Sequence, residues 1–499
     1  MKKYLLIIAM LCCIPMISWA QSADNEDEVV KIETFNMNAY RPDEVIVKFK
    51  DQSRVNMPSR NKSRFSTSSV NAVDQMFAAL GVDSVEELMP MTGSKPMPRR
   101  IRAFNGDDIE VKNLSKLYRL KINTQTLQRK SIFQVIDTLK TLQDVEYAEP
   151  NYIVYCMSTG EVDSTAYVSE PLYSQQWGPA AINLPALWAK PKVTTKRPVI
   201  AILDTGVDIL HPDLEANIWT NSEEENGQED EDDDANGFAD DVHGWDFVNN
   251  RATIGDYNGH GTHCAGIAAA VGNNGIGITG ANPDALIMPV VVMQSNGTGD
   301  VATIIRGIDY AAANGADVIS MSIGGYGYSI AEEQALGRAY ATSVLVAAAG
   351  NDFKCIYAHD CPINNKPAIQ NGPMYPAALS FVLGVEASSD AGGSIASFSN
   401  FDEDGPIYSA YDESILFNYE LRAPGTSIYS TFPNGRYKSL NGTSMACPLA
   451  AGAISRLLQC KSDSDIVSKE VLFGDLIQSR HGMGNIDMLH VYNCNDSTR

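Results

Sequence analysis

Apolar positions along this chain follow two different rhythms, one on each side of residue 156. Before it, residues 44–49 and 117–122 alternate like strands, 145–155 reads as a third strand, and 70–80 and 131–142 carry helical spacing. Two helices are thus available to cover one sheet, which predicts a small α+β unit. Residues 51–66 and 91–112, rich in Ser, Arg, Pro and Gly, read as loops, and 21–40 as a polar, disordered lead-in. Residues 156–172 are small, polar and acidic without a period, and read as a linker. Beyond them, continuous apolar runs at 199–203, 285–292, 317–323 and 344–349 alternate with helical patterns at 260–271, 301–313 and 331–340. Such alternation predicts a doubly wound α/β unit, a mostly parallel sheet with helices on both faces. Ligands of such sheets gather at the carboxyl ends of the strands. Asp204 and Asn351 each follow a predicted strand.

The start of the chain carries a different pattern. Lys2 and Lys3 precede a short apolar stretch, and Ser18-Trp19-Ala20 places small residues three and one before a cut that leaves Gln21 first. This predicts an export signal over 1–20 and a protein secreted to the periplasm or the exterior, with retention at the cell surface left open. As a membrane anchor the run is short. Cys12 and Cys13 raise a lipid anchor, but large residues precede them, and no later stretch is long enough to span a bilayer. Export permits disulfides: Cys355 with Cys361 and Cys460 with Cys494 are candidate pairs, while Cys264 and Cys447 sit in apolar helical runs as expected free thiols. At 499 residues the chain exceeds one ordinary domain. Its net charge of −23 lies almost wholly beyond residue 150. That excludes nucleic acid as a natural partner and suits calcium, or solubility alone.

The candidate chemistry begins at Ser444, in Asn441-Gly442-Thr443-Ser444-Met445-Ala446, at the first turn of an apolar helical run. Unpaired N–H groups and the positive end of a helix dipole lie there, suited to an oxyanion. A serine needs a base and a group that orients the base. His260 opens His260-Gly261-Thr262-His263, and Asp204 ends an apolar strand in Leu203-Asp204-Thr205-Gly206. Singly, each has a plainer reading: Asp204 as a cap, His260 as a structural histidine. His260 and His263 share a helical face, yet no acidic residue follows at zincin spacing and no third ligand is apparent.

Together, Asp204-Thr205-Gly206, His260-Gly261-Thr262-His263, Ala349-Gly350-Asn351 and Gly442-Thr443-Ser444-Met445-Ala446 stand in the order Asp, His, Ser. By these motifs the chain resembles the subtilisin-like serine proteases over 173–494, and the unit at 21–156, ending in Val145-Glu146-Tyr147-Ala148-Glu149-Pro150-Asn151, resembles their inhibitory prosegment. The resemblance implies Ser444 as nucleophile, His260 as base, Asp204 as its orienting partner and Asn351 as oxyanion donor, with no cofactor for catalysis. It implies Ser322, Ile323 and Gly324 as an edge that pairs with extended substrate. It also implies Ala349 and Gly350 as the other wall of the primary pocket, with Met374 expected at its floor, shallowing it for small or medium side chains. It implies protein or peptide substrates, the prosegment as intramolecular inhibitor, and self-cleavage in the linker at 157–172. Calcium is expected twice. The acidic loop at 223–241, with Asp232, Asp234 and Asp240, offers hard oxygens; Asp213 and Asn274 match family positions that hold a structural ion. Two rival readings remain: an adhesive binding protein built on a blocked protease scaffold, and a peptidase devoted to one partner.

Overall fold

The computed structural model describes residues 39–53, 72–93, 95–103, 108–157, 161–162, 172–354, 373–401, 419, 421–460, 476 and 485–493. At its centre is a seven-stranded sheet in the order Leu421–Pro424, Leu383–Ser388, Val344–Ala348, Val318–Met321, Val199–Asp204, Leu286–Val291, Trp245–Asp246. Every pairing in it is parallel. The first of these strands in the chain, Val199–Asp204, lies in the interior with later strands on both sides. Its burial on both faces explains why it reads as one continuous apolar run. The helices His260–Ala269, Val301–Ala313, Ile330–Ala339 and Thr443–Cys460 connect or cover the strands. The doubly wound α/β expectation is met.

The upstream unit is a second, antiparallel sheet. Val145–Cys156 pairs with Tyr40–Phe49, which pairs with Leu117–Ile122, which pairs with Val82–Glu87. Strand alternation divides its side chains. Val45, Val47 and Phe49 join Phe77, Leu80, Val135, Ile136 and Leu139 in a core under the helices Ala72–Leu80 and Ile132–Lys140. Ile46 points the other way, into the main core. Ser131 starts the second helix with a capping box, its hydroxyl accepting from Gln134 N while the Gln134 side chain accepts from Ser131 N.

Both units lie within one compact body, Lys31–Arg499. The contact is dense and polar at the helix starts of the α/β unit. Glu149 accepts from Ser329 Oγ at 2.6 Å, Ile330 N at 3.0 Å and Ala331 N at 3.1 Å, filling the amino end of Ile330–Ala339. Asn151 Oδ1 does the same for Ala302 N, at 3.0 Å, on Val301–Ala313. In return Asp309 accepts from Met91 N and Thr92 N, both at 2.8 Å.

Three expectations change. The stretch at 91–112 contains a short hairpin, Arg100–Arg102 with Asp108–Glu110, too brief for a periodic signal. Part of the linker is ordered: Glu161–Val162 pairs with Ser439 and Leu440. Cys460 is a free buried thiol, as are Cys264 and Cys447; Cys355, Cys361 and Cys494 lie outside the described residues, as does the signal at 1–20. Among the described residues no helix is long and apolar enough to cross a membrane.

Candidate active site

Asp204 closes the strand Val199–Asp204, and two turns of sequence logic bring His260 to it. Thr205 Oγ1 accepts from Gly261 N at 3.0 Å and donates to Asp256, whose carboxylate also takes Gly259 N and Thr262 N. This network holds the start of His260–Ala269 against the strand end. Gly259 makes the approach with φ +98°, a conformation that costs glycine little and where a side chain would strike the Phe432 ring. Asp204 Oδ1 consequently lies 2.7 Å from His260 Nδ1 and also accepts from Thr205 N at 2.7 Å. Both side chains are buried, His260 at 3% and Asp204 at 1% exposure. Burial opposes the imidazolium, but the charge and hydrogen bond of Asp204, with Asp256 behind, outweigh it and hold His260 above the ordinary histidine value. His263 has a different fate. Burial drives it down to about 3, so it is neutral, and its Nε2–H donates to Lys438 O at 2.9 Å. It is a packing residue, not half of a metal pair.

Ser444 lies in the first turn of Thr443–Cys460, fully buried. Its hydroxyl donates to Ser322 O at 3.0 Å and does not bond His260, whose Nε2 is buried without a partner. The two residues flank one thiol: Cys264 Sγ is 3.9 Å from His260 Nδ1 and 3.4 Å from Ser444 O. Asn351 follows the strand Val344–Ala348, and its Oδ1 accepts from Thr443 N at 2.9 Å and Thr443 Oγ1 at 3.0 Å. That fixes the amide, and Nδ2 is left buried and unpaired. One open amide donor and one open imidazole acceptor beside a hydroxyl suit an acyl-transfer centre, since buried polar groups are rarely left unsatisfied without a ligand.

The end of the upstream strand occupies this cleft. Thr298–Asp300 pairs antiparallel with Ile153–Tyr155 on one side, and Ile323–Gly324 with Tyr155 and Cys156 on the other. The next residue, Met157, donates from its N–H to Ser322 O at 3.1 Å, and its carbonyl accepts from Ser444 N at 3.0 Å. The residue is 2% exposed. The predicted substrate edge Ser322, Ile323 and Gly324 therefore carries a bound backbone. Met374 is fully buried, with its thioether between the two pocket walls: a Cβ added at Gly324 would lie 3.0 Å from Met374 Sδ, and one at Gly350 2.6 Å from Cε. Sequence reasoning missed Asn400. Its side chain donates to Ala349 O at 2.9 Å and accepts from Lys354 N at 2.9 Å, holding the loop that presents Gly350 and Asn351. No motif marks it, because the contact spans some fifty residues.

The two calcium expectations place differently. Among the described residues one purely acidic group has three carboxylate oxygens within 4.8 Å of one another: Glu224, Asp234 and Asp241. Of the three loop residues expected, Asp234 belongs to it. Asp232 instead accepts from Asn236 N and Gly237 N, and Asp240 from Asp230 N. Burial, opposed by hydrogen bonds and reinforced by Asp234, pushes Asp241 up to about 6. Three carboxylates gathered in one loop are the hard-oxygen donor class that calcium takes. Asp213 and Asn274 do meet, at 2.9 Å, but Asn274 offers its NH2 group, and Ile278 N and Tyr437 Oη fill the other Asp213 oxygen. Hydrogen-bond donors reach the carboxylate oxygens here, as they also do at Glu224, Asp234 and Asp241.

A serine, a carboxylate-bound histidine and an aimed amide at the strand ends of a parallel sheet define the serine-peptidase class. Residues 195–479 match the family model described as the Subtilase family, and the chain belongs to that family. It is a subtilisin-like serine-type endopeptidase. It is 38% identical to thermitase from Thermoactinomyces vulgaris over 301 residues, 60% of this chain and 88% of the relative. It is 36% identical to subtilisin DY from Bacillus licheniformis, over 52% of this chain and 76% of that one. It is 32% identical to the thermophilic serine proteinase of Bacillus sp. (strain AK1), over 71% and 73%. In fold it resembles fervidolysin from Fervidobacterium pennivorans, with a TM-score of 0.59 at 22% identity, covering 91% of this chain and 61% of that one.

Proposed function

We propose that this chain is a secreted endopeptidase made as a self-inhibited precursor, and that it cuts itself between Met157 and Ser158. The observation that carries the reading is the Met157 carbonyl on Ser444 N–H, with the preceding residues paired on both sides as an extended substrate. Rotation of the Ser444 side chain exchanges Ser322 O for His260 Nε2 as acceptor of the hydroxyl. Ser444 Oγ then attacks the Met157 carbonyl carbon, and its proton passes to His260. The tetrahedral oxyanion is held by Ser444 N–H and Asn351 Nδ2–H. Collapse breaks the C–N bond, His260 gives the proton to the Ser158 nitrogen, and water later releases the acyl group by the same path. Asp204 keeps the proton on Nδ1, so Nε2 is the basic nitrogen. The intact set of groups supports an enzyme over the adhesive reading. Sequencing the amino terminus of the secreted protein is expected to give Ser158; a start beyond Tyr173 would refute the assigned bond.

Substrates would enter as the tail does. Met157 is a medium, flexible side chain, and Met374 closes the floor beneath the walls at Gly324 and Gly350. We expect Met374→Gly to shift the preferred residue before the cut from medium side chains to Phe or Tyr on a peptide library. The parent enzyme preferring Phe or Tyr would contradict this role. Glu224, Asp234 and Asp241 would hold a structural calcium ion that ties down the acidic loop without entering the chemistry. Chelation is then expected to lower the Tm of the Ser444→Ala protein by a few degrees, read by calorimetry. An unchanged Tm would remove the site.

A further inference from the structure

The proposed reaction leaves one strand edge beside the site unused. Glu161–Val162, the fourth and fifth residues after Met157, pairs antiparallel with the strand Arg436–Leu440, Val162 opposite Ser439 and Glu161 opposite Leu440. On its other side that strand pairs with Ile428–Phe432, so among the described residues it is an open edge once Glu161–Val162 leaves. Residues directly opposite across a ladder share a face, and so do alternate residues of one strand. The fourth residue after the cut therefore falls in the row of Leu440, Lys438 and Arg436, and the same register carries the sixth opposite Lys438. That row is basic. The Lys438 ammonium lies 4.9 Å and the Arg436 guanidinium 5.2 Å from the centre of the Phe432 ring, which gathers both cations. Arg436 is exposed and Lys438 half-buried. No Asp or Glu occurs between Ser427 and Ser444, in a chain of net charge −23. Phe432 in turn abuts the start of the His260 helix, where a Cβ added at Gly259 would lie 2.3 Å from its ring. The cations thus stand beside the helix of the residue assigned to protonate the leaving nitrogen.

We propose that the strand Arg436–Leu440 is the docking edge for the peptide segment that follows the cut bond, and that Lys438 and Arg436 make it select segments with carboxylates four and six residues after the cut. The count rests on the Met157–Ser158 assignment. The chain's own sequence fits it: after Met157 come Ser158-Thr159-Gly160-Glu161-Val162-Asp163, acidic at the fourth and sixth places. Backbone pairing to an open edge supplies affinity without sequence preference, and the side-chain row supplies the preference. Two like charges held over one ring repel each other, and an anionic partner relieves that repulsion. A substrate is then held by strands on both sides of the bond: Thr298–Asp300 and Ile323–Gly324 before it, Ser439 and Leu440 after it. Once the bond is cut, Glu161–Val162 keeps only its two-residue pairing, which yields to a segment anchored on both sides. The role of the two cations is selection; they move no proton of the reaction.

The first test is hydrogen exchange on the full chain carrying Ser444→Ala, which keeps the segment uncut. Adding Arg436→Glu with Lys438→Glu is expected to speed exchange at Glu161–Val162 and Ser439–Leu440 about fivefold, the size that two partly exposed ion pairs supply. Unchanged exchange there would overturn the proposal. Arg436→Gln with Lys438→Gln serves in the same way if charge reversal prevents folding. The second test uses the processed enzyme and fluorogenic peptides copying residues 152–165. The positions of Glu161 and Asp163 are kept acidic, made Gln and Asn, or made Lys; a peptide ending three residues after the cut is the reference. Relative to that reference, the acidic peptide is expected to exceed the lysine peptide about fivefold in kcat/KM, mainly through KM, with the gap closing in high salt. The charge-reversal variant is expected to turn the order round. Equal rates for acidic and lysine peptides, or an order that survives the reversal, would refute selection at this edge. If no peptide is cut, the reading of the tail as a substrate fails, while the exchange result still decides the edge.

Discussion

Ser444→Ala is expected to leave a chain that accumulates at full length, with no product ending at Met157 and no peptidase activity. The expectation follows from where the hydroxyl sits. It belongs to the residue whose N–H already holds the Met157 carbonyl at 3.0 Å, and alanine keeps that backbone donor. The variant should therefore dock its tail as the parent does and differ only in chemistry. Removing a member of such a triad leaves roughly 10³–10⁴-fold rate acceleration over water, from the oxyanion donors and binding alone, far below visible processing. Electrophoresis and intact-mass measurement of protein purified from a host without other exported proteases would check it. Trimming at Met157 in this variant would mean that another enzyme makes the cut.

Asp204→Asn is expected to reduce the rate by about 10⁴-fold, the size seen when the same change is made in a serine-peptidase triad. Asparagine keeps the shape but presents an NH2 group or a neutral oxygen to Nδ1, so the imidazole loses its fixed tautomer. The pH dependence separates this from simple damage. In the parent, His260 is held above the ordinary histidine value of about 6.5, burial being outweighed by the Asp204 charge and hydrogen bond. The basic form is needed, so the rate of self-cleavage rises with pH through a midpoint above that value. Without the carboxylate, burial acts unopposed by its nearest partner, and the midpoint should move to lower pH. A stopped reaction series across pH 5–9 on both chains reads it. An unmoved acid limb would show that Asp204 does not set the proton affinity of His260.

The α/β unit was readable because its strands are buried on both faces, so that continuous apolar runs alternate with helical spacing. The helix Val301–Ala313 falls on the residues its periodicity marks, and Val199–Asp204 extends the predicted strand by a single residue. The catalytic positions were readable because each follows a strand or opens a helix, where backbone geometry demands a local motif. The hairpin at Arg100–Arg102, the Glu161–Val162 bridge and the place of Glu224 beside Asp234 and Asp241 were not. Short elements bury too little to impose a period, and groups joined across the fold leave no mark at either position. Nor could sequence show that the Ser444 hydroxyl rests on Ser322 O, since that is one rotamer against another in the same packed site.

The tail's hold on the cleft has a consequence for timing. Scission of the Met157–Ser158 bond removes none of the backbone pairs that join Ile153–Cys156 to Thr298–Asp300 and Ile323–Gly324, nor the Glu149 seat on Ser329–Ala331. On the proposed cut the severed piece would remain as a bound product, so nicking and switching on would be separate events. Enzyme output should then start after a lag whose length reflects departure of that product, and the first free molecules, by digesting it elsewhere, would shorten the wait for the rest.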